Sequence, residues 1–152
     1  MEQVLIATLI ITSPAFTENG TIPAKYTCDG QNVNPELHIE GIPGETKSLA
    51  LIMDDPDAPG GTFDHWISWN MLPQGKLAED SVTGTQGVNS FGKRQYNGPC
   101  PPHGKPHRYS FRVYALDCTL DLLGRADKRD LMQSMDGHIL AEGEIVGVYQ
   151  RK

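Results

Sequence analysis

Breaks in the chain constrain this sequence more than any other feature. Glycine and proline cluster at Asn19-Gly20, Asp29-Gly30, Gly41-Ile42-Pro43-Gly44, Pro59-Gly60-Gly61, Pro73-Gln74-Gly75 and Gly98-Pro99-Cys100-Pro101-Pro102. Proline removes a backbone donor and glycine frees φ, so each cluster ends whatever regular element precedes it. The runs between clusters are too short for a helical bundle and suit strands joined by turns. Of the 152 residues 38% are apolar, enough to build a core, so a disordered chain is excluded. The length fits one domain, 1–152.

Thirteen Lys and Arg face nineteen Asp and Glu, a net charge of −6, and no basic run exceeds a pair. A nucleic-acid partner needs a basic face, so none is expected. The run Val4–Ile11 is apolar, has acidic Glu2 before it and is too short to span a bilayer. It reads as a buried strand, with no stable membrane insertion and a cytoplasmic location. Cys28, Cys100 and Cys118 form no C-x-x-C pair and are read as reduced thiols. Cys100 is either a small wall residue or a reactive thiol.

Alternation places the strands. Ser48–Met53 is continuously apolar, and His65–Leu72 sets His65, Ile67, Trp69 and Met71 against Trp66, Ser68, Asn70 and Leu72. With large apolar groups on both faces, that strand is central. In Arg108–Leu116, Tyr109 shares a face with Phe111 and Val113. One helix follows Asp127 as N-cap, carries Leu131, Met132 and Met135, and ends at Gly137. Ile139–Tyr149 fits helix or strand, and its Val146-Gly147-Val148-Tyr149 end favours a final strand.

Three segments concentrate chemistry: Asp54-Asp55-Pro56-Asp57-Ala58-Pro59 past an apolar strand, Asp64-His65-Trp66 opening the next, and Gly98–Tyr109. Prolines stiffen the first and third. Carboxylates beside imidazoles can fix their tautomer and raise their pKa. Two histidines, a tyrosine hydroxyl and two carboxylates on rigid loops suit a small anion cavity. Enzyme motifs are missing: Pro106 between His103 and His107 denies them one helix face, and neither a G-x-S-x-G elbow nor a phosphate-binding glycine loop occurs. A metal quartet of Asp55, Asp57, His65 and His107 has no recognised spacing. His38 and His138 read as structural.

In order along the chain, Asp55-Pro56-Asp57-Ala58-Pro59, His65-Trp66, Gly98-Pro99-Cys100-Pro101-Pro102 and His107-Arg108-Tyr109 resemble the phosphatidylethanolamine-binding protein family, also called the Raf kinase inhibitor protein family. Cys28-Asp29-Gly30, Tyr114-Ala115-Leu116-Asp117 and Gly137-His138-Ile139-Leu140 are similar to its bacterial and archaeal branch. The resemblance implies a mainly β fold, an antiparallel β-sandwich with a few short peripheral helices. It implies a pocket for phosphate or a phosphorylated head group, built by Asp55, Asp57, His65, His107 and Tyr109 and walled by Gly98, Pro99 and Pro101. It further implies a non-enzymatic binding protein without cofactor or metal, often a homodimer. Alternatives are inhibition of a kinase or protease through protein contacts, and an unrecognised His/Asp hydrolase. The connection from Pro59 to His65 is shorter than in eukaryotic members, and their C-terminal helix has no counterpart before Lys152. Both departures weigh against kinase inhibition.

Overall fold

A computed structural model describes residues 5–152. Among the described residues nine strands and one α-helix form three layers. The large sheet has the order β1 (Ala7–Thr8), β9 (Ile139–Tyr149), β8 (His107–Leu116), β4 (Ser48–Asp55), β5 (Phe63–Met71) and β7 (Thr85–Gln86). The small sheet has the order β2 (Ile10–Thr12), β3 (Leu37–Glu40) and β6 (Lys76–Leu77). Every pairing is antiparallel except β1 with β9, which is parallel. Helix α1 (Lys128–Met135) covers the outer face of the large sheet.

Period-two alternation feeds both layers of core. On β4, Leu49, Leu51 and Met53 join Leu37 and Ile39 of β3 and Phe111 and Val113 of β8 between the sheets. Ala50 and Ile52 point the other way, meeting Trp69, Leu131 and Met135 under α1. Full burial of a side chain of this size contributes roughly 1.5–3 kcal/mol. Helix α1 closes with reciprocal bonds: Asp127 Oδ1 accepts from Asp130 N at 3.0 Å, and Asp130 Oδ2 accepts from Asp127 N at 3.1 Å. Of the three apolar residues that mark this helix in the sequence, Leu131 and Met135 are buried but Met132 is 42% exposed.

The final segment is a strand, as its last four residues suggested. It is also where glycine matters. A Cβ on Gly143 would stand 2.2 Å from Leu9 O, so this residue lets the N-terminal segment lie directly on β9.

The N-terminal run corrects one expectation. Val4 lies outside the described residues, and the rest is not one buried strand. It divides at Leu9 into β1 and β2, which belong to different sheets. Leu9 and Ile11 are buried, whereas Leu5, Ile6 and Ile10 are exposed. Sheet switching within one run lets only alternate residues face the core. No helix among the described residues is long and apolar enough to cross a membrane.

Candidate functional site

The inward face of β4 runs from Met53 into Asp55, a strand residue rather than one beyond the strand end. The matching face of β8 runs from Phe111 through Tyr109 to His107. Phe63 lies opposite Asp55 on β5. One end of the inter-sheet face thus changes from apolar core to ionisable groups.

His65 reaches this place through an irregularity in β5. Asp54 pairs with Asp64 and Met53 with Trp66, so His65 is the extra residue of a bulge. A bulge re-aims a side chain. Strict alternation would have put His65 with Ile67 and Trp69, which pack under α1. Instead its ring meets Tyr109 edge-on, with centroids 5.3 Å apart, and the His107 ring stacks on Tyr109 at 6.5 Å.

Both imidazoles are held through Nδ1. His107 Nδ1 donates to Asp55 Oδ2 at 2.6 Å, with both side chains buried. Asp55 Oδ1 accepts from Asp57 N at 2.8 Å, which engages the second carboxylate oxygen. His65 Nδ1 donates to the backbone carbonyl of Asn97 at 2.6 Å. A carbonyl fixes this tautomer, not the carboxylate expected from sequence. Burial pushes the His65 pKa down, against the pull of the Asn97 carbonyl and the Asp55 charge. The Tyr109 side chain is fully buried and its hydroxyl has no hydrogen-bond partner among the described residues. Burial, reinforced by the negative charge of Asp55, pushes its pKa up, so it remains a protonated donor.

These groups line a cavity of about 160 Å³, with Ala58, Pro59, Phe63, Phe91, Cys100, Pro101 and Pro102 completing the wall. Asp55, His65, Pro101, His107 and Tyr109 therefore come together as expected from sequence. Asp57, Gly98 and Pro99 do not line the cavity. Asp57 turns outward: Oδ2 accepts from Arg108 N at 2.8 Å and Nε at 3.0 Å, and Oδ1 from Nη2 at 2.8 Å. The fork holds its pKa down at about 2. Its role is to fasten the loop after β4 to the start of β8, and the Asp/His metal quartet is thereby broken up. Gly98 supports the wall from behind. A Cβ there would lie 2.1 Å from Tyr26 O, and Gly98 N donates to Asn32 Oδ1 at 2.8 Å.

Two features escaped the sequence reading. Cys28 and Cys100 form a disulfide with Cα atoms 5.4 Å apart, correcting the expectation of reduced thiols. It ties the cavity wall to the segment following the 3₁₀ turn Ala24–Tyr26. Their separation of 72 positions gives no local signal. Buried Asn89 is the second. Its Nδ2 donates to the carbonyls of His65 and Gln95 and to Asn97 Oδ1, and its Oδ1 accepts from Phe91 N and Lys93 N. Asn89 therefore positions both Phe91 in the wall and Asn97, which orients His65. The only hint was its place in a turn-rich stretch with Gly87, Ser90 and Gly92.

Residues 12–150 match the family model of the phosphatidylethanolamine-binding protein. The chain belongs to the phosphatidylethanolamine-binding protein family. A UPF0098 protein of Pyrococcus horikoshii is 49% identical over 150 residues, covering 92% of this chain and 76% of that protein. Another from Methanothermobacter thermautotrophicus is 48% identical over 145 residues, covering 90% and 95%. The crystal structure of the phosphatidylethanolamine-binding protein homolog CT736 from Chlamydia trachomatis superposes with a TM-score of 0.91 at 40% identity, covering 95% of this chain and 99% of that one. E. coli YbcL, described as a member of the mammalian family, gives 0.87 at 30%, covering 96% and 100%. The β-sandwich expected from the resemblance is thus the fold of this family member.

Proposed function

We propose that this family member is a non-enzymatic binding protein whose cavity takes a small proton-bearing anion, of the phosphate or phosphate-monoester class. One observation carries the reading. Both imidazoles commit Nδ1–H to the protein, while the Tyr109 ring packs against both and carries a buried hydroxyl with no hydrogen-bond partner among the described residues. A neutral imidazole held this way offers an acceptor at Nε2. An imidazolium offers a donor there. Two oxygens of a phosphate group can therefore be held by the Nε2 positions and one by Tyr109, provided protons accompany the anion or the rings. Each charge-assisted bond contributes roughly 1.5–3 kcal/mol. The apolar remainder of the wall, Phe63, Phe91 and the prolines, suits a small organic substituent.

The hydrolase alternative is weakened by Cys100. The nearest thiol candidate for a nucleophile is held in a disulfide. The disulfide also weighs against the expected cytoplasmic location, since such bonds persist mainly in oxidising compartments. Homodimer formation is retained as part of the proposal on the family resemblance alone.

Isothermal titration with inorganic phosphate, phosphoethanolamine and acetate at pH 5.5 and 7.5 tests the reading. Binding of a phosphate ligand that strengthens at pH 5.5 and disappears in His65→Ala and His107→Ala supports it. No heat and no thermal shift with any of the three at either pH refutes it.

A further inference from the structure

The far end of β8 carries a second group of ligating side chains. Ten residues of strand at about 3.3 Å each place it roughly 30 Å from the cavity. Leu116 and Ile139 are the last partners at that end of the β8–β9 ladder. Just past this rung, Asp117 and Cys118 leave β8 and His138 leads into β9. The backbone on both sides is pinned. Asp117 N donates to His138 O at 3.0 Å, His138 N donates to Met135 O at 2.9 Å, and Ser48 Oγ donates to Cys118 O at 2.6 Å.

The side chains converge on one point. His138 Nδ1 lies 2.8 Å from Asp117 Oδ1. A ring nitrogen of His138, a carboxylate oxygen of Asp117 and Cys118 Sγ all lie within 4.8 Å of one another. Four-coordinate zinc spaces its donors roughly 3.5 Å apart, so modest side-chain rotations bring the three to ligating distance. Thiolate, imidazole and carboxylate together suit a borderline-soft first-row ion rather than calcium or magnesium. The imidazole and carboxylate are about half exposed, at 47% and 45%, which leaves an approach for the ion and for water as fourth ligand. Cys118 is partly buried against the core under α1, which limits its freedom to turn away.

We propose that Asp117, Cys118 and His138 bind a zinc-type divalent transition-metal ion, independently of the anion cavity. The ion clasps the two ends of the excursion that carries α1, replacing the His138–Asp117 hydrogen bond with two metal bonds and a third from sulfur. The Cys118 thiol releases its proton to solvent on ligation.

Cobalt(II) titration of the disulfide-intact protein provides the test, because thiolate-to-cobalt charge transfer absorbs in the near ultraviolet. Cys118 is the one cysteine outside the disulfide, so the band reports this site even if cobalt also meets the cavity histidines. The expected result is a band that saturates at one equivalent, is displaced by zinc and is absent in Cys118→Ser. Its midpoint should shift at least tenfold upward in both Asp117→Asn and His138→Ala. No band in excess cobalt overturns the site. A midpoint unmoved in those two variants assigns binding to a lone thiol and also overturns it. Asp117→Asn and His138→Ala leave the core under α1 untouched and are checked for folding by circular dichroism, so they decide the matter even if Cys118→Ser folds poorly.

Discussion

His107 Nδ1 stands 2.6 Å from Asp55 Oδ2, and both side chains are buried. The pair joins β4 to β8 at the mouth of the sandwich and leaves only Nε2 of the imidazole free for a ligand. A buried carboxylate–imidazole pair is costly to break from one side, because the remaining group keeps its desolvation without its partner. Asp55→Ala is expected to lose about 3 kcal/mol in urea unfolding. Asp55→Asn, which retains an acceptor, should lose about 1 kcal/mol. Equal losses in the two would show that the hydrogen bond to His107 contributes nothing.

His65 makes stability depend on pH in a definite direction. Its folded pKa lies below the ordinary imidazole value because burial disfavours the charged ring. Between the folded value and the unfolded value of about 6.5, the unfolded chain binds the extra proton. The contribution of His65 is therefore complete above that pH and declines as pH falls through it. His65→Gln should flatten the slope of unfolding free energy between pH 7 and 5. An unchanged slope would contradict the shift. If the anion binds to a protonated ring, titration in buffers of different ionisation enthalpy should show proton uptake.

Asp57 and Arg108 work in a different window. The carboxyl pKa is held at about 2 against an ordinary 3.8, chiefly by the Arg108 guanidinium. A depressed carboxyl stabilises above its unfolded value and loses that contribution as pH falls from about 4 towards 2. Solvent screens this partly exposed pair, so Asp57→Asn should cost no more than about 1 kcal/mol at pH 7. The cost should fade as pH falls through about 2 and below, as followed by acid titration of fluorescence. A deficit that persists there would assign Asp57 a role other than its charge.

The Cys28–Cys100 disulfide links stability to the cavity wall. Closing a loop across 72 positions removes unfolded-state entropy equivalent to about 4 kcal/mol in the chain-entropy picture. Reduction, or Cys28→Ser, should lower Tm by roughly 10 °C and weaken any phosphate binding by loosening the segment around Pro101. Protein with an unaltered Tm after verified reduction would show that packing of Gly98 against Tyr26 and Asn32 suffices.

Local pattern and tertiary pairing divide the explanation of this protein. The turn clusters set where strands end, because proline and glycine act within their own residues. Alternation on β8 put Tyr109 on the face of Phe111, since that strand is regular from His107 to Ala115. The reciprocal cap of α1 was legible in part, through Asp127, for the same reason of nearness. Other features depend on partners remote in sequence. His65 turns into the cavity because β4 and β5 pair out of step around it, and a bulge is a property of two strands rather than one. Asp57 meets Arg108 across 51 positions, and Asn89 organises its loop by reaching back 24 to the His65 carbonyl. Cys28 meets Cys100 only after the sandwich closes. The residue types for a small anion site stand in the sequence itself. Which of them face it, and which only hold it in place, is decided by folding, because strand register and loop docking set the direction of each side chain.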